Sequence, residues 1–178
     1  VLKVHLYGAY NMVRHCVPHM INRGYGRIVL LSSVSGLGST GQSNYSAAKE
    51  GIVGFVHALA TELNPQGIAI NAVYSSGDTR MTATVPEATK QKLRAREEAT
   101  TEEEATKSYS QASREPTEAR LPENNAPKIV YLCTEPGGSI SGQVIGSGRW
   151  SFTLYSKRQA AKRIHTNGHW TLDDLDKL

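Results

Sequence analysis

A tyrosine and a lysine four residues apart are the strongest chemical signal in this sequence. Tyr45 and Lys49 lie in a stretch whose apolar residues recur at helical spacing. Residues four apart share one helix face, with Cβ atoms roughly 5–6 Å apart. A nearby ammonium group favours the phenolate form of a tyrosine, because opposite charges attract. Such a pair can hold and release a proton beside a reacting oxygen.

Two serines upstream of this pair could supply a hydroxyl group to the same site. Ser32 and Ser33 follow a short apolar run at residues 28–31. A continuous apolar run of this length predicts a strand that is buried on both faces, as in parallel sheets. Neighbouring strand residues point to opposite faces, so only one serine can face the tyrosine. The spacing of residues in this run does not determine whether Ser32 or Ser33 faces the tyrosine.

The surrounding elements predict a sheet that carries these side chains at one end. A strand, a helix and a second strand in succession form a right-handed parallel crossover unit. Pro18 is expected to bend or weaken the first helix, and Gly24 to end it. The predicted helices cover residues 2–23, 44–63 and a third stretch after Pro122, and the predicted strands cover 28–31, 68–74 and 143–145.

Composition excludes several classes of partner. The chain has 178 residues and a net charge of +4 without a basic cluster interleaved with aromatic residues, so no nucleic-acid partner is expected. No apolar run approaches the roughly 20 residues of a membrane-spanning helix, so no membrane partner is expected either. The sequence suggests no metal site. Cys16 and Cys133 are expected to be buried free thiols.

Two segments differ from the rest of the chain. Residues 83–120 are rich in Ala, Thr, Glu, Lys and Arg, which favours a solvated surface, although their place after a strand also allows a lid. Residues 149–178 form a basic and aromatic tail, in which Thr171 and Asp174 predict the cap of a last short helix. The catalytic half would then be residues 1–148.

Tyr-x-x-x-Lys on a helix, after a strand that ends Ser-Ser-x-x-Gly, resembles the short-chain dehydrogenase/reductase superfamily. The tyrosine motif alone is common by chance, but its context agrees at Gly41-Gln42-Ser43-Asn44, Asn71-Ala72-Val73 and Gly142-Gln143-Val144. A narrower resemblance is to the (3R)-hydroxyacyl-CoA dehydrogenase part of the D-bifunctional protein and related bacterial enzymes. It is carried by Val4-His5-Leu6, by residues 79–85 and by the tail.

The resemblance implies roles for individual residues. Tyr45 would donate or accept the proton, and Ser33 would hydrogen-bond the substrate oxygen. Lys49 would hold the nicotinamide ribose, and Tyr45 would also touch this NAD or NADP cofactor. His5 stands where the family uses a backbone carbonyl to hold a relay water, although a structural helix histidine is an equal alternative. Ser76 and Thr79 would contact the cofactor from the loop after the second strand.

Three departures from the family pattern bear on these roles. Ser33 lies three residues before Gly36, as in the motif, yet its spacing to Tyr45 is one residue short. Ser32 has the usual spacing to the tyrosine. Ser75-Ser76 stands where a Pro-Gly pair is usual. The glycine-rich turn that binds dinucleotide phosphates at a helix N-terminus is not found in the sequence.

The fold implied is α/β, a Rossmann-like doubly wound parallel sheet, of which this sequence would hold the C-terminal half only. The function implied is an NAD(P)-dependent oxidoreductase that interconverts a secondary alcohol and a ketone, with a 3-hydroxyacyl thioester such as an acyl-CoA as one substrate. The alternative is a non-catalytic binding or interaction protein on the same scaffold. A homodimer or homotetramer paired through the first two helices is implied. The ending Asp176-Lys177-Leu178 is not the peroxisomal signal Ser-Lys-Leu, so the cytoplasm is expected.

Overall fold

A four-stranded sheet forms the centre of the molecule in the computed structural model, which describes residues 1–84 and 117–176. The strands are β1 (Gly26–Ser32), β2 (Ile68–Ser75), β3 (Val144–Gly148) and β4 (Ser151–Tyr155), in that spatial order. The first three run parallel to one another, whereas β4 pairs antiparallel with β3. The Rossmann-like α/β fold is confirmed, but the sheet is mixed and not wholly parallel.

Strand β4 lies in the predicted tail and was not expected from the sequence. A two-residue connection, Arg149-Trp150, joins β3 to β4, and Gly148 pairs with Ser151 across it. Tight hairpins need residues with positive φ, which usually means Asn-Gly or a similar pair. Arg149 adopts this conformation with φ 51°, so the usual turn signal is missing from the sequence.

Helices cover both faces of the sheet, as in a doubly wound fold. A π-helical turn at Lys3–Tyr7 leads into the first helix, which continues through Pro18 and ends at Gly24 in the left-handed region. The predicted capping box at Thr171 and Asp174 is confirmed. The α-helices are α1 (Gly8–Arg23), α2 (Ser43–Leu63), α3 (Arg80–Ala83), α4 (Ala126–Leu132) and α5 (Leu172–Leu175).

The main core lies between β1, β2 and the two long helices. Strand β2 is buried over its whole length except for its last residue, as a strand covered on both faces should be. Val13 of α1 and Val56 of α2 pack on one face of the sheet. Leu132 of α4 packs with Val73 and Ile145 on the other face.

Some predictions are wrong or fall outside the described residues. Cys133 is exposed, because it lies just beyond the short helix α4, and Cys16 is only half-buried. Most of the predicted lid-like segment, residues 85–116, lies outside the part of the chain that is described. Within the described ranges, no helix is both long and apolar enough to cross a membrane.

Candidate active site

The two serines at the end of β1 have different environments. Ser32 is 3% exposed, and its hydroxyl donates a hydrogen bond to the main-chain carbonyl of Lys49 at 2.6 Å. Ser33 is half-buried and begins the 3₁₀ turn Val34–Leu37, where its Oγ accepts from the Ser35 N–H at 3.2 Å. The Ser32 hydroxyl is therefore occupied in joining β1 to α2. The proton of the Ser33 hydroxyl has no acceptor within the described residues.

Gly36 allows the 3₁₀ turn Val34–Leu37, called the serine turn below because Ser33 begins it, to pack closely against α2. A Cβ atom at this position would lie 3.2 Å from the Glu50 main-chain nitrogen and 2.8 Å from Glu50 Oε2. Only a residue without a side chain permits this approach at no steric cost. The glycine of the Ser-Ser-x-x-Gly pattern thus keeps Ser33 beside the first turns of the helix that carries Tyr45 and Lys49.

Lys49 lies beneath the tyrosine and is tied to β1. Its Nζ is 5.5 Å from the centroid of the half-buried Tyr45 ring, and it donates a hydrogen bond to the Leu31 carbonyl at 2.8 Å. The Lys49 side chain is 7% exposed, and this burial lowers its pKa. An ammonium with one proton bonded to Leu31 retains two further N–H donors.

The His5 side chain also lies against Tyr45. Its ring packs edge to face against the Tyr45 ring, with centroids 5.3 Å apart and planes at 82°. Burial and the nearby Lys49 charge lower the pKa of His5, so the imidazole is neutral near pH 7. His5 lies in the π-helical turn Lys3–Tyr7, and π turns are frequent at functional sites.

Ser76 and Thr79 lie after β2, at the same carboxyl-end edge of the sheet as Ser33. Both are exposed. The Ser76 N–H donates to the Ser147 carbonyl at 2.9 Å, and Asn125 Nδ2 donates to the Ser76 carbonyl at 2.9 Å. Asn125 is not among the predicted site residues, because its bond to Ser76 joins positions 49 apart in the sequence. The structure thus fixes Ser76 against β3 and the segment before α4, not against Tyr45.

No cluster of three or more metal-ligating side chains occurs among residues 1–84 and 117–176. Lys49 and His5 both lie against the Tyr45 ring at the start of α2, and Ser33 follows the carboxyl end of the neighbouring strand β1.

A family model described as short chain dehydrogenase matches residues 1–92, slightly more than half of the chain. The chain belongs to the short-chain dehydrogenase/reductase family.

Relatives agree with this assignment. The 3-oxoacyl-[acyl-carrier-protein] reductase FabG of Aquifex aeolicus is 36% identical over 147 residues, which cover 82% of this chain and 52% of the reductase. The mouse peroxisomal multifunctional enzyme type 2 is 35% identical over 160 residues, which cover 85% of this chain and 18% of the enzyme.

A solved structure agrees as well. A short chain dehydrogenase from Mycobacterium avium aligns over 99% of this chain and 53% of its own, with a TM-score of 0.75 and 28% identity. The chain thus spans about half the length of the Aquifex reductase and of the Mycobacterium avium dehydrogenase, and less of the multifunctional enzyme.

Proposed function

We propose that the intact protein is an NAD(P)-dependent oxidoreductase that interconverts a secondary alcohol and a ketone, with Tyr45 as the proton donor and acceptor. The observation that carries this proposal is the placement of the Lys49 ammonium 5.5 Å from the centroid of the Tyr45 ring. The free hydroxyl proton of Ser33 at the end of the adjoining strand supports it. Membership of the family supplies the reaction type.

The residues present fit the nicotinamide-ribose part of the cofactor. Two N–H groups of Lys49 remain after its bond to Leu31, which suits the binding of ribose hydroxyls. The Tyr45 phenol would also touch this part of the cofactor, and Ser76 and Thr79 would hold its amide end. A bound NADH or NADPH supplies the hydride that reduces the carbonyl carbon.

The side chains of the site would manage the proton in this reaction. The Ser33 hydroxyl would donate a hydrogen bond to the carbonyl oxygen, where negative charge develops during reduction. Tyr45 would transfer its proton to the same oxygen. The ammonium of Lys49 would stabilise the phenolate that results. His5, in contact with the Tyr45 ring, would belong to the path that restores this proton. Oxidation would use the same groups in reverse.

The substrate class we propose is a 3-hydroxyacyl or 3-oxoacyl thioester, such as an acyl-CoA. One relative is by name a reductase of 3-oxoacyl groups on acyl-carrier protein. The resemblance to (3R)-hydroxyacyl-CoA dehydrogenases at residues 4–6 and 79–85 supports the same class. The cytoplasm remains the expected compartment, which fractionation of cells that express the tagged intact protein would test.

A homodimer or homotetramer that pairs α1 and α2 between subunits is part of the proposal. A groove of about 400 Å³ runs between these helices. Its lining includes Tyr10, Val17, Phe55 and Leu59. Tyr10 is 46% exposed there, so association would remove apolar surface from water. Sedimentation of the intact protein would test this.

The decisive test of the activity compares the intact protein with its Tyr45→Phe variant. We expect the wild type to oxidise NADH or NADPH in the presence of acetoacetyl-CoA. Loss of the phenol proton should reduce kcat by about 10²–10⁴-fold while cofactor binding persists. A variant with full turnover would refute the role of Tyr45. Binding of a nicotinamide dinucleotide without turnover of any ketone or thioester, by the wild type, would support the non-catalytic alternative.

A further inference from the structure

A second cavity lies along α2, and neither Tyr45 nor Lys49 lines it. Its volume is about 380 Å³, which is the size of a small-molecule site. Helix α2, strands β2 and β3, and residues 155–158 of the tail surround it. Each residue of an α-helix is rotated by about 100° from the last. Gly54 therefore faces the opposite side of α2 from Tyr45.

The inner wall of this cavity is apolar. Val53 is 6% exposed and Val144 is 5% exposed, and both line it. Gly54 lines it as well, and a Cβ atom there would have no other atom within 4 Å. The missing side chain of Gly54 thus contributes to the open volume. At the mouth, Leu37 is the last residue of the turn that Ser33 begins.

The charged groups of the cavity leave one positive charge uncompensated. Arg158 Nη2 and Glu50 Oε1 form an ion pair at 2.6 Å. Lys157 also lines the cavity and makes no ion pair or hydrogen bond within the described part of the chain. Burial, and then the Lys157 charge, lower the pKa of His57, so this histidine is neutral near pH 7. Lys157 therefore carries the excess charge.

We propose that this cavity binds a small amphipathic carboxylate, with its apolar chain against Val53 and Val144 and its carboxylate paired with Lys157. Burial of the chain would supply the hydrophobic part of the affinity. One negative charge on the ligand would balance the lining, whereas a cationic ligand would be repelled because Glu50 already has a partner. Nothing in the proposal depends on the oxidoreductase activity, since binding is measured without turnover.

The test uses octanoate as the probe, with octylamine as the control of opposite charge. We expect saturable binding of octanoate to the intact protein by calorimetry, with NMR shifts at the amides of Gly54 and Val144, and no saturable binding of octylamine. Lys157→Glu should weaken octanoate binding by about tenfold or more, because repulsion replaces attraction. Lys162→Glu reverses the charge of an exposed tail lysine outside the cavity and should leave the binding unchanged.

A second pair of variants tests the location of the site. Gly54→Phe should fill the cavity and abolish octanoate binding, whereas Gly54→Ala should retain it. Tyr45→Phe should also retain it, which separates this cavity from the proposed active site. The proposal is overturned if wild type shows no saturable binding, if octylamine binds as tightly, or if a folded Gly54→Phe variant binds octanoate normally. If Gly54→Phe does not fold, the comparison of Lys157→Glu with Lys162→Glu tests the proposal: equal octanoate affinity of these two variants overturns it.

Discussion

The Ser32 hydroxyl donates a hydrogen bond to the Lys49 main-chain carbonyl at 2.6 Å. This bond joins the end of β1 to the helix turn that carries the lysine of the site. It also distinguishes the environments of the two serines, because the buried Ser32 hydroxyl bonds to α2 while the Ser33 hydroxyl has no acceptor among the described residues.

Ser32→Ala and Ser33→Ala should therefore have opposite effects. The first removes a buried hydrogen bond and should lower the free energy of unfolding by about 1 kcal/mol, with kcat nearly unchanged. The second removes a donor to the substrate oxygen and should lower kcat by roughly 10²–10³-fold, with stability nearly unchanged. Denaturant unfolding and steady-state kinetics on both variants measure this. A reversed pattern would mean that Ser32 is the catalytic serine.

Replacement of Gly36 should damage both the packing and the site. In Gly36→Ala the new Cβ would lie 3.2 Å from the Glu50 main-chain nitrogen, so the serine turn must move away from α2. We expect a loss of about 1–3 kcal/mol in stability, together with a lower kcat. The matched control is Gly54→Ala on α2, where the new Cβ meets no atom within 4 Å and stability should rise by up to about 1 kcal/mol. Equal stability of the two variants would contradict the close packing at Gly36.

Lys49 should make stability rise with pH. Burial lowers its pKa in the folded protein below the usual 10.5, so between the lowered value and 10.5 the unfolded chain binds more protons than the folded one. Stability then increases as pH rises through this window. Lys49→Met should lack this increase and should lose turnover by about 10²-fold or more. The difference in free energy of unfolding between wild type and Lys49→Met, measured over pH, gives the contribution of Lys49. A difference that does not change with pH would argue against the burial of this side chain.

Tyr74 should have the opposite effect at higher pH. Burial, the nearby Glu50 carboxylate and Tyr155 raise the pKa of Tyr74 to about 12, whereas an unfolded tyrosine titrates near 10. Between these values the folded protein binds more protons, so its stability falls as pH rises. Tyr74→Phe should lose less stability than the wild type between pH of about 10 and 12. Identical curves would mean that the phenol ionises freely in the folded state.

Local patterns in the sequence determined much of this protein. Helical spacing placed Tyr45 and Lys49 on one face of α2, because that periodicity depends only on neighbouring residues. The apolar runs identified β1 and β2, and the Ser-Ser-x-x-Gly and Tyr-x-x-x-Lys patterns identified the family. The capping box of α5 could also be predicted, since Thr171 and Asp174 lie within one helical turn of each other.

Only the tertiary structure distinguished the two serines, brought the His5 ring to Tyr45, and folded residues 151–155 back onto β3 as an antiparallel strand. Each of these depends on contacts between residues that are distant in sequence. Spacing to Tyr45 even favoured Ser32, but the bond from Ser32 to the Lys49 carbonyl crosses from strand to helix. The register between β1 and α2 determines which serine bonds to the helix. The residue pattern within either element does not encode that register.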